Sequence, residues 1–116
     1  MSDPRPRVEL SDPPRIVGVT CTRCSHPMPT PRPACAVCRG PVAEARFGPD
    51  GVVWSATVVR IAVGDRTPPY ALAYVDLDGG PRVLAHVDGQ ESAPPVGSRV
   101  RLVAPTAGDV TVEVVA

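Results

Sequence analysis

The chain is short, neutral and rich in proline. It has 116 residues, which suits one domain with a small appendage, and 12 arginines balance 12 acidic residues. A neutral chain has no net field to attract a polyanion or an anionic membrane, so composition does not predict nucleic-acid binding. Sixteen prolines and ten glycines disfavour helices and indicate strands and turns.

The N-terminal segment predicts an extended arm. Residues 1–17 carry four prolines and six charges, with almost no periodic apolar pattern. We expect them to lack a core and to become ordered on a partner. The segment also lacks the apolar stretch of a signal peptide, and no apolar run in the chain is long enough to span a bilayer. We therefore expect a cytoplasmic protein.

Four cysteines dominate the next segment, which we assign to residues 18–46. Cys21 and Cys24 form one Cys-x2-Cys knuckle, and Cys35 and Cys38 form a second one ten residues later. This spacing is typical of a zinc ribbon with four thiolate ligands, and closely spaced cysteines in a reducing cytoplasm are seldom disulfides. A closed four-sulfur shell leaves no position for substrate, so we expect structural Zn²⁺. Iron in a rubredoxin-like site, two disulfides and four unrelated thiols remain as alternatives.

Charged residues alternate with the four ligands. Arg23, Arg32 and Arg39 are placed to offset the negative charge of four thiolates. His26 follows Cys24 by two residues, but with four cysteines available we interpret it as a surface histidine.

The remaining residues, 47–116, predict an all-β domain. Alternation of apolar and polar residues indicates five strands separated by turn signals. Without intervening helices, five short strands favour a closed OB-type barrel, since closure removes exposed edges. An SH3-like barrel or a small sandwich stays open. The predicted strands are 52–61, 71–77, 82–87, 99–102 and 110–114.

No set of catalytic residues stands out. His86 is the one histidine of the predicted barrel, near Asp76 or Asp88, and an isolated strand histidine more often has no catalytic role. Asp76 and Asp78 are candidates for a pair of carboxylates, but their position at the turn Asp78-Gly79-Gly80 explains both as turn-forming residues. We therefore predict no catalytic residue.

The barrel offers few aromatic residues for stacking bases. Trp54, Tyr70 and Tyr74 are its candidates, in a chain without a basic surplus. We assign Trp54 and Tyr74 to the core or to an interface, and expect no nucleic-acid partner.

Six short segments between residues 19 and 115 follow one another in an order typical of a known family. They are Cys21-Thr-Arg-Cys24, Pro31-Arg-Pro-Ala-Cys35-Ala-Val-Cys38, Gly51-Val-Val-Trp54-Ser-Ala-Thr57-Val, Pro68-Pro69-Tyr70, Val75-Asp-Leu-Asp-Gly-Gly-Pro81-Arg-Val-Leu-Ala85 and Val96-Gly-Ser-Arg99-Val100. Over this range the chain resembles the family of rubredoxin-like zinc ribbon plus OB-fold proteins associated with acyl-CoA metabolism, once catalogued as a domain of unknown function. Two features depart from its pattern: only about twenty residues precede Cys21, and Ser25 replaces a frequent glycine.

The resemblance implies a non-catalytic accessory subunit. Members of the family accompany thiolases, hydroxymethylglutaryl-CoA synthase, lipid-transfer-protein-like aldolases of steroid side-chain degradation and acyl-CoA hydratases. There they help to form the channel for the CoA pantetheine arm, which implies a CoA thioester at the interface. A zinc-ribbon and OB module for nucleic-acid or general protein binding is the alternative function.

The expected contact surface comprises the ribbon, the loop 65–70 and the outward side of the first hairpin. In the loop, Pro68 and Pro69 are stiff and Tyr70 is amphipathic, which suits an interface. The alternative is that these three residues only begin the second strand and pack on the barrel.

Overall fold

The chain folds into a small sheet followed by a closed barrel. The structure is a computed structural model and describes residues 5–62, 64 and 66–115. All regular structure in these residues is β, and they include no helix long and apolar enough to cross a membrane. The strands are β1 (Arg7–Glu9), β2 (Arg15–Cys21), β3 (Pro27–Met28), β4 (Val42–Phe47), β5 (Asp50–Val59), β6 (Tyr70–Leu77), β7 (Arg82–Val87), β8 (Arg99–Thr106) and β9 (Asp109–Val114).

The small sheet is built around β2. Its neighbours are β1 and β3 along one edge and β4 along the other, all antiparallel. Gly18 allows β3 to approach closely, because a Cβ there would overlap the carbonyl oxygen of Met28. Strand β2 ends at Cys21 and thereby places the first candidate ligand at the end of the sheet.

The N-terminal segment does not need a partner to become ordered, contrary to the expectation from sequence. Strand β1 pairs with the start of β2, where Ile16 and Val17 are buried. Arg46 of β4 also makes a bidentate contact with Glu9 at 3.0 to 3.1 Å. Residues 5–17 are therefore ordered by this chain itself, and residues 1–4 lie outside the described part.

The five later strands close into a barrel in the order β5-β6-β7-β9-β8, with β8 returning to β5. All pairings are antiparallel except that of β7 with β9. The predicted fold class is confirmed. Alternate residues of each strand point inward, and the interior is filled by small aliphatic side chains. The buried barrel residues are Val53, Ala71, Ala73, Val75, Leu77, Val83, Ala85, Val87, Val100, Leu102, Val110 and Val112.

Sheet and barrel share one buried cluster. Ile16 of β2 and Phe47 of β4 pack with the barrel's interior residues. Gly80, in the β6–β7 turn, leaves room for the ring of Phe47, since a Cβ there would lie 3.0 Å from its Cδ1. The boundary proposed between residues 46 and 47 therefore falls inside a continuous region of packing and stays a prediction.

A β-bulge interrupts the pairing of β5 with β6. Val53 pairs with Val75, whereas Tyr74 pairs with Ser55, so Trp54 is the extra residue. The bulge places Trp54 on the outer surface, where its side chain is exposed.

Candidate metal centre and outer surfaces

The four cysteines converge on one point. Their Sγ atoms all lie within 4.8 Å of one another, with Cys21 3.5 Å from Cys38 and Cys24 3.6 Å from Cys35. Cys21 and Cys35 are buried, whereas Cys24 is exposed. Four sulfurs this close can hold a single metal ion.

Each Cys-x2-Cys knuckle is a tight turn whose amides point at the sulfur. The backbone N–H groups of Arg23 and Cys24 donate to Cys21 Sγ at 3.3 Å, and that of Val37 donates to Cys35 Sγ at 3.3 Å. Such hydrogen bonds stabilise thiolates and are frequent outside the ligand shell of a metal. The two knuckles thus provide equivalent surroundings for the first sulfur of each pair.

Both knuckles end in a left-handed residue. Ser25 follows Cys24 with φ 65°, and Arg39 follows Cys38 with φ 60°. Glycine adopts this conformation most readily, which explains why the family that the sequence resembles often has glycine after the second cysteine of a knuckle. Ser25 takes the same conformation here, so the departure in sequence leaves the turn intact.

The four thiols influence one another's ionisation. Donation from the Cys24 backbone N–H, above all, lowers the pKa of Cys21 to about 6. At Cys24, donation from the His26 backbone N–H lowers the pKa, but partial desolvation of this exposed residue's sulfur and the three neighbouring sulfurs outweigh it and raise the pKa to about 12. Because like charges this close together repel, a cation among the four sulfurs would favour the thiolate form of all of them.

The charged residues of the ribbon lie outside this centre. Arg23, Arg32 and Arg39 are exposed, and no side chain among them forms a hydrogen bond to a sulfur within the described residues. The ring of His26 is not part of the four-residue group.

An aromatic and aliphatic face covers the outer side of β5, β6 and β7. Trp54, Tyr74 and Leu84 are 51%, 46% and 49% exposed. The rings of Trp54 and Tyr74 meet edge to face with centroids 6.2 Å apart. Arg82 stacks on Trp54 at 3.7 Å while pairing with Asp76 at 2.6 Å. We call Trp54, Tyr74 and Leu84 the aromatic face, and it excludes a core role for Trp54 and Tyr74.

A second cluster lies at one end of the barrel and involves His86. Its Nε2 is 3.4 Å from Asp109, which also binds Arg66 at 3.1 Å and Arg5 at 3.2 Å. Burial, followed by the charge of Arg66, lowers the pKa of His86. Within the described residues His86 forms no hydrogen bond to a hydroxyl or thiol group, and its Nδ1 is buried without a hydrogen-bond partner.

Neither aspartate that lies near His86 in the predicted strands is its partner. Proximity in sequence indicated Asp76 or Asp88, but Asp76 pairs with Arg82, and Asp88 only lines a cavity of about 350 Å³ beside His86. Asp109 is the partner because the parallel pairing sets His86 opposite Thr111, two residues from Asp109.

The proline-tyrosine segment borders the same cavity. Tyr70 begins β6 half-buried, and its ring centroid is 5.5 Å from that of His86. Pro68 is half-buried and Pro69 is exposed, whereas Asp65 of the predicted contact loop lies outside the described residues. A role of this segment in partner binding stays a prediction.

Comparison with known proteins identifies the family. A family model described as the C-terminal OB-fold domain of ChsH2 matches residues 44–104, more than half of the chain. This chain therefore belongs to the ChsH2 OB-fold family, as the resemblance in sequence predicted. No curated protein matches.

Two solved structures have the same fold. A chain of the "Ltp2-ChsH2(DUF35) aldolase" structure aligns with a TM-score of 0.67 and 23% identity, over 86% of this chain and 84% of that one. A DUF35-family protein of unknown function from Sulfolobus solfataricus aligns with a TM-score of 0.65 and 19% identity, over 87% and 76%. Both matches are too long to involve the barrel alone, so the fold they share also includes part of the ribbon.

Proposed function

We propose that this chain is a non-catalytic accessory subunit of an acyl-CoA enzyme of aldolase, thiolase or hydratase type. Its membership of the ChsH2 OB-fold family carries the proposal. The similar structure is that of an Ltp2-ChsH2 aldolase, in which ChsH2 is named together with Ltp2. In the proposed complex the partner performs the chemistry, and the ribbon and barrel contribute to the channel for the CoA thioester.

The arrangement of the barrel's side chains supports a binding role. The aromatic face exposes two large rings and a leucine, with a groove of about 270 Å³ beside Tyr74 and Leu84. Aromatic residues and arginine are the side chains most enriched in the energetically important parts of interfaces. Arg82, fixed by Asp76 and stacked on Trp54, gives this surface a rigid polar edge. The proposed contact surface therefore includes the aromatic face in addition to Pro68, Pro69 and Tyr70.

The metal proposed for the ribbon is Zn²⁺ held by Cys21, Cys24, Cys35 and Cys38. It supplies a crosslink between the two knuckles and no reaction chemistry, because the four sulfurs complete a tetrahedral shell. The apolar cluster around the site is small, which leaves the metal as the main source of its stability. Elemental analysis of the purified chain is expected to give about one zinc per chain, and iron in its place would support the rubredoxin-like alternative.

Co-expression with the thiolase-like enzyme encoded nearest to this chain tests the accessory role. We expect a stable complex by size-exclusion chromatography, and turnover of an acyl-CoA only when both proteins are present. Trp54→Ala should weaken the complex about tenfold or more, since truncating a central aromatic residue removes much of the binding energy. Leu10→Ala is the matched control, because Leu10 is 73% exposed and follows β1 of the small sheet, whereas the aromatic face belongs to the barrel.

Two outcomes separate the parts of this proposal. A wild-type chain that neither binds such an enzyme nor changes its turnover would contradict the accessory role. A Tyr70→Ala variant that binds normally would remove only Tyr70 from the contact surface and would assign it to packing against His86.

A further inference from the structure

The tip of the ribbon is positively charged and has no acidic residues. Residues 18–41 contain Arg23, Arg32 and Arg39 but no aspartate or glutamate. Because the whole chain is neutral, the remaining residues carry the compensating negative charge. The electrostatic surface is therefore divided between a cationic ribbon tip and an anionic remainder.

Within the described residues, these three arginines have no carboxylate partner. None of them forms an ion pair with a described residue, although all three side chains are exposed. Elsewhere in the described part, arginines commonly pair with carboxylates. The paired ones are Arg5, Arg46, Arg66, Arg82, Arg99 and Arg101.

A bound metal would not cancel this charge at the surface. Zinc with four thiolates has a formal charge of about −2, which is smaller than the charge of three guanidinium groups. The sulfurs of Cys21 and Cys35 are buried and accept backbone N–H groups. The guanidinium groups therefore remain the charges that an approaching molecule meets.

An exposed apolar residue lies among the arginines. Val37 is 67% exposed and lies in the second knuckle, two residues before Arg39. Arg32 lies between Pro31 and Pro33, whose fixed φ angles reduce the entropy lost when the segment binds. We call Arg23, Arg32, Val37 and Arg39 the ribbon-tip surface.

We infer that the ribbon-tip surface docks on an acidic patch of the partner enzyme, with guanidinium groups paired to carboxylates around Val37. This inference rests on the proposed function and names the chemistry of the partner's contact site. Arginine suits it because its planar group binds a carboxylate through two parallel hydrogen bonds. A protein is favoured over a nucleic acid because residues 18–41 contain no Phe, Tyr or Trp on which bases could stack.

Charge reversal in the complex is the first test. We expect Arg23→Glu combined with Arg32→Glu to weaken binding to the enzyme about 100-fold, and to reduce the salt dependence of the wild-type Kd. Arg60→Glu is the matched control, because Arg60 is also exposed and has no ion pair in the described residues, but belongs to the barrel. It should change Kd less than threefold. Retained metal and unchanged amide NMR signals of the barrel would show that the double variant folds.

A second test does not require the enzyme. Poly-L-glutamate titrated into the ¹⁵N-labelled, metal-bound chain should shift the amide signals around Arg23, Arg32 and Arg39 at low salt. The shifts should disappear in the double variant and persist in Arg60→Glu. Oligothymidylate of equal charge should shift them less.

The outcomes distinguish the inference from the proposed function. Equal binding of the enzyme by wild type and double variant, or no response of the ribbon to poly-L-glutamate, would overturn the inference. In another outcome, the wild-type chain responds to poly-L-glutamate through the ribbon arginines and yet binds no acyl-CoA enzyme. That result would contradict the proposed function, but it would leave the inference of an acidic protein partner standing. Stronger shifts with oligothymidylate would overturn the choice of protein.

Discussion

His86 shows how one partly buried side chain makes stability depend on pH. Its lowered pKa means that the unfolded chain binds protons more readily than the folded chain. The free energy of unfolding should therefore be constant at high pH and decline as pH falls below about 6.5, the ordinary histidine value. His86→Gln should flatten this decline in urea denaturation between pH 7.5 and 5.5. Because both proteins keep the same cysteine site, parallel curves would contradict the prediction.

The partners of His86 could not be predicted from sequence. Arg66, Asp109 and Arg5 meet around it because distant segments come together, and the parallel β7–β9 pairing gives no local signal. The cysteines are the opposite case, since their convergence follows from spacing alone. Ser25 and Arg39 were also partly predictable, as a knuckle needs a left-handed residue at its end.

Among the elements, the two knuckles depend most on a ligand. Cys35→Ser should release the metal and accelerate amide exchange in residues 19–41, because the apolar cluster there is small. Residues 15–17 should stay protected, since Ile16 packs in the barrel cluster. Bound metal by elemental analysis and exchange by NMR measure both effects.

His26→Ala is the control for that variant. It should keep the metal, because the hydrogen bonds that the structure shows between His26 and the first knuckle are made by the backbone of His26. Loss of protection spread equally over β6 and β7 in Cys35→Ser would show instead that the barrel depends on the metal.

The strands of the barrel were predictable because their side chains alternate. Strand β7 has the predicted bounds, while β8 extends further, to Thr106. Strands β1 and β2 were missed because prolines obscured them. A sequence signal was present in β2, since the uninterrupted run Ile16-Val-Gly-Val19 indicates a strand covered on both faces, and the structure buries all four residues.

At the scale of the whole molecule, Phe47 couples the sheet to the barrel. Phe47→Ala should lower the free energy of unfolding by about 3 to 5 kcal/mol, as for other buried aromatic residues. Leu84→Ala, at a half-exposed position, should change it by about 0.5 kcal/mol or less. Urea denaturation followed in both parts of the chain tests this, and a loss confined to the ribbon would refute a shared core.

The shared core also explains what sequence could not predict. Five alternating runs were enough to predict a barrel, but nothing local shows that Ile16 and Phe47 complete its interior. That contact depends on the turn at Gly48, which has φ 94° and would bring a Cβ to 2.7 Å from Leu102.

The bulge in β5 makes Trp54 expendable for the barrel. If residue 54 were deleted, Ser55 would follow Val53 directly. The pairing with Val75 and Tyr74 would then be regular, and every other side chain of β5 would keep its present face of the sheet. The hydrogen bonds between β5 and β6 therefore do not require a residue at position 54. Strand pairing does not explain the large ring at this position, and contact with a partner at the outer surface is the explanation that we propose for it.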